Sequence, residues 1–193
     1  MRLAWIVGLL LLLAAPSPAV QPRFRTGALE PAAPAPDFVL QADQGKTVRL
    51  RDWRGDVVVL YFGYTSCPDI CPTTFAELAE VKQRLGRAAE RLRVALVTVD
   101  PERDTAPRLR IYMRAFDPSF VGLTGPRASL EKMWKAYGVY VKSHRVPGSV
   151  AAYAVDHSAT TFVIDAQGDL RLVIPFGTSV EDICHDLQLL LAR

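Results

Sequence analysis

Two nearly continuous runs of apolar residues lie in the middle of the chain, at Val57–Phe62 and Leu92–Val99. Runs of this kind are typical of strands that are buried on both faces of a sheet. Between them, apolar residues at helical spacing predict a helix that ends near Gly86: Phe75, Leu78, Ala79 and Leu85. The pattern therefore predicts a strand, a helix and a second strand joined as a parallel crossover unit.

The patterns on either side extend this unit into a domain. Apolar segments around Asp43-Gln44-Gly45 and around Asp165–Gly168 predict two antiparallel hairpins, the second formed by Thr160–Ile164 and Leu170–Ile174. Further helices are predicted at 104–116, 126–137 and 179–192; the last places four apolar residues on one face: Ile183, Leu187, Leu190 and Leu191. These elements predict an α/β sandwich of the thioredoxin type, with a mixed sheet flanked by helices and an N-terminal hairpin.

The first 36 residues have a different texture. An uncharged apolar run of 13 residues, Leu3–Ala15, is followed by small residues at Ser17 and Ala19. Residues 1–19 are therefore predicted to be a secretory signal peptide or, if uncleaved, an N-terminal membrane anchor through residues 3–19. Residues 20–36, rich in Pro and Ala, are predicted to be an extended linker, and residues 37–193 to be the folded domain. The domain is thus expected to be exported, either periplasmic or tethered to the outer face of the cytoplasmic membrane.

Composition excludes several classes of protein. Half of the residues are hydrophobic and 22% are charged, which is ordinary for a globular domain and argues against disorder. A formal net charge of +3, without a long Lys/Arg run, gives no indication of nucleic-acid binding and only weak steering toward acidic partners. The 3 Cys are too few for a disulfide scaffold.

The candidate chemistry lies in the segment from Gly63 to Pro72, which holds Cys67 and Cys71 between a central strand and a helix. Thiolates are stabilised at helix N-termini. Pro72 suits the first helical position, which would place Cys71 at the N-cap and Cys67 in the preceding loop. A pair with this spacing has three interpretations: a structural disulfide, a redox-active thiol pair, or two ligands for a soft metal such as Cu(I).

A third ligand would have to come from elsewhere, and the chain has three His residues. His185 is expected at the surface of the last helix, beside a partly buried Cys184. His144 is expected in a loop next to cationic residues, which disfavour metal binding. His157 precedes the strand Thr160–Ile164, and the ends of adjacent strands lie side by side, so it is the better candidate.

Three segments in order closely resemble the Sco/SenC family of copper-binding proteins: Tyr61–Pro72 with its two Cys, Val99–Thr105 (VDPERDT) and Val155–Ser158 (VDHS). The resemblance covers about residues 37–193. It implies a thioredoxin-like scaffold on which Cys67, Cys71 and His157 bind copper. It also implies a role in building the binuclear copper (CuA) centre of cytochrome c oxidase, with the CuA-bearing subunit or another copper or thiol protein as partner.

Other polar residues near these segments receive separate predictions. Asp100 is expected to orient a copper ligand or to lend negative charge near the metal without binding it. Asp69 and Asp156 are expected to be solvated loop carboxylates, and Asp104 or Thr105 to cap the next helix. The competing hypothesis is a thiol-disulfide oxidoreductase that uses Cys67 and Cys71. The three-residue spacer between the two Cys argues against the thioredoxin-like reductases, which leave two residues between them, so a metallochaperone is favoured over an enzyme.

Overall fold

The computed structural model describes residues 23–146 and 153–192. Its strands are β1 (Ala28–Pro34), β2 (Val39–Ala42), β3 (Thr47–Arg49), β4 (Val57–Gly63), β5 (Leu92–Thr98), β6 (Val121–Thr124), β7 (Val141–Arg145), β8 (Tyr153–His157), β9 (Thr160–Ile164) and β10 (Asp169–Pro175). Its helices are α1 (Ile70–Leu85), α2 (Ala106–Arg114), α3 (Arg127–Ala136) and α4 (Val180–Leu191), with short 3-10 helices at Leu50–Trp53 and Gly86–Arg91.

The two continuous apolar runs form the centre of the sheet. β4 and β5 are parallel, in register from Val57 opposite Leu92 to Gly63 opposite Thr98. Every residue of β4 is buried, as the absence of polar positions in this run predicts. The predicted parallel crossover is therefore confirmed, and it brings the carboxyl ends of β4 and β5 side by side.

The main sheet is mixed. Within the described ranges its strand order is β1-β10-β9-β4-β5-β6-β2-β3, with β4, β5 and β6 parallel and the other pairs antiparallel. α1 and α4 pack against each other, whereas α2 contacts β6 and α3 contacts β2. Both predicted hairpins are present as β2–β3 and β9–β10. The α/β architecture with helices on a mixed sheet is confirmed.

The N-terminal segment differs from its prediction. Residues 28–34, which were expected to belong to an extended linker, form β1 and pair antiparallel with β10. An edge strand tolerates Pro because only one side of it needs donors for the ladder. The chain is also held before β1, since the buried carboxylate of Asp186 accepts bonds from the amides of Arg25 (2.9 Å) and Thr26 (2.8 Å). The folded unit therefore begins before residue 37.

The second difference concerns a small sheet of two strands, β7 and β8, which pair with each other and with no strand of the main sheet among the described residues. His144, expected in a loop, lies in β7, and His157 is the last residue of β8. Buried and exposed residues do not alternate in β7, where four of five residues are exposed. The apolar pattern of the sequence therefore did not predict this strand. β8 places His157 at the edge of the site described below.

No helix in the two described ranges is long and apolar enough to cross a membrane. The predicted signal peptide or anchor, residues 1–19, lies outside the described residues.

Candidate metal centre

The two cysteines lie where β4 gives way to α1. Cys67 is half-buried in the connecting loop, and Cys71 is completely buried in the first turn of α1. Asp69 is the N-cap, so Cys71 is the second helical residue and not the N-cap as predicted. Pro72 is tolerated at the third position because the first amides of a helix have no intrahelical acceptor. Both cysteines are free thiols.

Gly63, the last residue of β4, lets Cys71 approach the strand. A Cβ at Gly63 would lie 2.9 Å from Cys71 Sγ and 2.8 Å from a ring carbon of Tyr61. Such separations are well below van der Waals contact, so a side chain here would displace the thiol or the ring. The absence of a side chain at Gly63 therefore allows the Cys71 sulfur to lie directly against the end of β4.

His157 reaches the same place from β8. Its Nε2 lies 3.5 Å from Cys71 Sγ. Its Nδ1 lies 3.1 Å from the carbonyl oxygen of Ser158, which favours a proton on Nδ1 and leaves the Nε2 lone pair directed toward the thiols. The rings of Tyr61 and Tyr64 pack edge-to-face against the imidazole, with centroid distances of 6.0 and 5.9 Å.

Together the three side chains form a compact donor set. One sulfur from Cys67, one from Cys71 and one imidazole nitrogen from His157 all lie within 4.8 Å of one another. In the described part of the chain, no other group of His, Cys, Asp and Glu side chains is arranged to hold a metal ion. The structure thus brings together the three residues that the sequence singled out.

The two thiols differ in acidity because the Cys71 thiol donates a hydrogen bond to the Cys67 sulfur. A hydrogen bond from Cys71 lowers the pKa of Cys67 to about 4, with further support from His157. The pKa of Cys71 is raised, first by that bond to Cys67 and then by burial. At neutral pH the half-exposed Cys67 is therefore a thiolate, and the buried Cys71 retains a proton that a metal ion would displace.

The loop that carries Cys67 is held by a buried carboxylate. Asp104 accepts hydrogen bonds from the hydroxyls of Thr65 and Thr98, both at 2.6 Å. Thr105, and not Asp104, is the N-cap of α2, and its side chain makes no capping bond. Desolvation by burial raises the pKa of Asp104. The sequence predicted a helix cap at Asp104 or Thr105, and the structure shows that Asp104 instead fastens the thiol loop to the end of β5.

Asp100 acts on the site at a distance. Its buried carboxylate accepts a hydrogen bond from Tyr153 Oη at 2.6 Å and pairs with Arg103. The Arg103 guanidinium lies 3.8 Å from the Tyr153 ring centroid and 5.6 Å from that of Tyr64, and it donates to the Tyr153 carbonyl at 3.1 Å. Asp100 therefore holds the strand that ends in His157. The sequence pattern did not predict this role of Tyr153, because no strand was predicted at residues 153–157.

The remaining polar candidates lie outside the donor set. His144 Nδ1 lies 3.2 Å from the exposed carboxylate of Asp156, and His185 lies 2.8 Å from Asp186. Cys184 is buried in α4, as predicted. Asp69 and Asp156 are exposed, as predicted, but Asp156 lies in β8 and not in a loop.

The donor types suit a soft metal. Two thiolate sulfurs and one imidazole satisfy Cu(I) in a three-coordinate site, whereas structural zinc sites usually have four protein ligands. The described residues offer three. The buried Cys71 and the aromatic rings of Tyr61 and Tyr64 shield one side of the donor set, and the half-exposed Cys67 leaves the other side open to a metal or to a thiol.

The fold and site together define a class: a thioredoxin-like α/β protein with a thiol pair at the start of α1 and an imidazole supplied by the two antiparallel strands β7 and β8, called the hairpin below. The model of the SCO1/SenC family matches residues 26–192, so the chain belongs to this family. The family indicated by the three sequence segments is thereby confirmed, and the match begins before the predicted domain boundary at residue 37.

Individual relatives agree. An SCO2-like protein of Rickettsia felis is 33% identical over 152 residues, which cover 79% of this chain and 74% of the relative. The structure of Bradyrhizobium japonicum ScoI with copper bound is 34% identical with a TM-score of 0.74, covering 82% of this chain and 99% of that one. The solution structure of apo Sco1 from Thermus thermophilus is 38% identical with a TM-score of 0.76, covering 88% and 98%.

Proposed function

We propose that this chain binds one copper ion through Cys67, Cys71 and His157 and delivers it to, or prepares, the CuA centre of cytochrome c oxidase. The observation that carries the proposal is the convergence of two sulfurs and one imidazole nitrogen within 4.8 Å. Membership of the SCO1/SenC family, and the bound copper in a relative of 34% identity, support copper as the metal.

Each ligand has a distinct part in binding. The Cys67 thiolate is half-exposed and meets the incoming ion first. Cys71 loses its proton as the second sulfur binds, so loading releases a proton and tightens as the pH rises. The neutral imidazole of His157 completes the set through Nε2. Copper enters only when both thiols are reduced, so metal loading and formation of a Cys67–Cys71 disulfide compete.

The test is an anaerobic Cu(I) titration of the reduced full chain against a chromogenic competitor. The expected result is one tight equivalent, sharply weakened in Cys67→Ser and in His157→Ala. Cys184→Ser and His144→Ala are matched controls, because these residues lie outside the donor set, and both should keep the parent stoichiometry. Parent-like binding in His157→Ala would disprove the three-ligand site, and two equivalents in the parent that fall to one in Cys184→Ser would indicate a second site in α4.

A second candidate is a thiol-disulfide oxidoreductase, which the pairing of one reactive thiolate with one buried thiol favours. The Cys67 thiolate would attack a partner disulfide and release one partner thiolate. Cys71 would then attack Cys67 in the mixed disulfide, leaving an oxidised Cys67–Cys71 pair and a partner with two reduced thiols. Reduction of a test disulfide by a chain that fails to bind Cu(I) would establish this function instead.

The partner and the location belong to the same proposal. Proteins of the Sco family take part in cytochrome c oxidase assembly, which supports the CuA-bearing subunit as the recipient. The apolar run Leu3–Ala15 supports an exported domain, periplasmic or tethered at the outer face of the cytoplasmic membrane. Fractionation of cells that express the full chain, with protease access to intact spheroplasts, tests the location.

A further inference from the structure

The outward side of α2 concentrates positive charge beside the thiol loop. This nine-residue helix holds Arg108, Arg110 and Arg114, all exposed, and no carboxylate. Ile111, in the same helix, is 76% exposed. The low net charge of the whole chain suggests only weak electrostatic steering of a partner. The helix α2, however, carries three exposed arginines and one exposed apolar residue. We call these four residues the α2 face.

Helical geometry makes the α2 face continuous. At roughly 100° per residue, Arg110 and Arg114 lie on one side of Ile111 and Arg108 on the other. The opposite side of the helix holds Leu109 and Met113, both fully buried. The helix is therefore amphipathic in an unusual sense, because the centre of its exposed arc is apolar and its flanks are cationic.

The carboxylates that flank α2 in the chain are engaged elsewhere. Glu102 pairs with Arg127 at 2.6 Å, and Asp117 pairs with Lys82 at 2.7 Å. Asp104 is buried and accepts bonds from Thr65 and Thr98. Within the described ranges, no carboxylate lies within ion-pair distance of an arginine of the α2 face. The one carboxylate that lines the nearby cavity shared by Arg110 and Arg114 belongs to the buried Asp43.

Arg108 connects the α2 face to the donor set. It lies in the first turn, where the helix dipole disfavours a cation, yet it is held there by bonds to Thr65 Oγ1 (2.7 Å) and Ser66 Oγ (2.9 Å). Ser66 is the residue before Cys67. A molecule that covers the α2 face therefore lies directly beside the half-exposed thiol.

We propose that the α2 face is the docking surface for a protein partner with an acidic, partly apolar surface, which exchanges copper or thiol equivalents with Cys67 and Cys71. The proposal rests on the proposed function. An acidic protein partner is favoured over an anionic membrane because the face is bonded to the thiol loop, where a partner that receives copper must come close. The unpaired arginines set the sign of the partner's charge, and Ile111 supplies an apolar contact at the centre.

The first experiment measures docking without any metal or thiol chemistry. The probe is a fluorescent peptide rich in Glu and Leu and free of Cys, mixed with the reduced full chain at low ionic strength. In an NMR titration, the amide resonances of α2 and of Thr65–Ser66 should move as the peptide is added. Salt at 0.3 M should abolish these chemical-shift changes. Shifts confined to other surfaces would overturn the proposal while leaving the copper site untouched.

The second experiment measures transfer. A reduced peptide with two Cys flanked by Glu, or by Gln, takes Cu(I) from the loaded chain. The double variant R110Q/R114Q should slow transfer to the Glu peptide about fivefold and leave transfer to the Gln peptide unchanged. Arg108 is left intact because it bonds to the thiol loop.

A matched control removes the same charge elsewhere. R51Q/R87Q changes exposed arginines in the 3-10 helices that precede β4 and β5, at the opposite end of the sheet, and should transfer at the parent rate. Equal slowing in both double variants would show that transfer depends only on the net charge of the chain, and it would overturn the proposal. Loss of binding to anionic phosphatidylserine vesicles in R110Q/R114Q, with unchanged transfer to the Glu peptide, would assign the face to a membrane instead.

Discussion

Cys71 and His157 meet at one site, but they belong to regions that are built in different ways. Cys71 lies in the first turn of α1, against a central strand whose seven residues are all buried. His157 ends a two-stranded sheet in which only Val155 is buried, and polar contacts around Tyr153, Arg103 and Asp100 help to hold that sheet to the domain. Hydrophobic packing dominates around Cys71, whereas His157 is positioned by one buried valine in its strand, two tyrosine rings and hydrogen bonds. Stability and metal affinity should therefore respond differently to changes in the two regions.

Removing the imidazole should separate the two properties most clearly. His157→Ala is expected to weaken Cu(I) binding by at least about 100-fold, since the loss of a ligand exceeds the 10- to 100-fold typical of outer contacts. The free energy of unfolding should change by less than about 1 kcal/mol, because His157 lies at the edge of the domain. Competitor titration and denaturant unfolding measure both. A large loss of stability would mean that the hairpin belongs to the core.

A change on the packed side should affect both properties together. Gly63→Ala places a Cβ against Cys71 Sγ and the Tyr61 ring, and overpacking of this kind costs about 1 to 3 kcal/mol. Copper affinity should fall as well, because the sulfur must move. Gly125→Ala is the control, since its Cβ would approach only a side-chain carbon of Leu40 at 3.2 Å. Unchanged stability and affinity in Gly63→Ala would contradict the role given to this glycine.

The thiols themselves should show the asymmetry in their reactivity. Because the pKa of Cys67 is lowered to about 4, its thiolate persists above that pH, and alkylation by iodoacetamide should slow only as the pH falls through about 4. Cys71→Ala removes the hydrogen bond that lowers this pKa most. The alkylation rate at pH 6 should then fall at least about tenfold as the pKa returns toward its ordinary value near 8.5. Mass spectrometry locates the label, and a rate unaffected by Cys71→Ala would show that Cys71 does not set the acidity.

The smallest effect is expected where a single hydroxyl holds the hairpin. Tyr153→Phe keeps the ring under the Arg103 guanidinium and removes only the bond to Asp100. Copper affinity should fall about tenfold, the low end of the 10- to 100-fold range for residues that position a ligand. The imidazole signals of His157 in NMR should broaden or shift, which a merely structural loss would not produce. Tyr140→Phe, at an exposed hydroxyl close to the hairpin, should change neither.

The packed region could be predicted from the sequence, and the hairpin could not. Continuous apolar runs and helical spacing are local signals, so β4, α1, β5 and the Cys-bearing loop follow from them. β8 has no comparable pattern, and its contacts are made with Asp100 and Arg103, some 50 residues earlier in the chain. His157 was nevertheless identified, first as a His beside a strand and then through the family resemblance. Arg108, whose role depends on a neighbour in space, gave no signal.

The bonds that Asp186 accepts from the amides of Arg25 and Thr26 would limit how far the donor set could lie from a membrane anchor. If residues 3–19 anchor the chain in a membrane, the freely extended tether predicted for residues 20–36 would reach about 60 Å. Because the backbone is fixed to α4 at Arg25, five residues would separate such an anchor from the fixed backbone, and a fully extended chain of that length reaches about 17 Å. If the chain carries copper as proposed, such a tether would restrict it to recipients embedded in, or lying directly on, its own membrane.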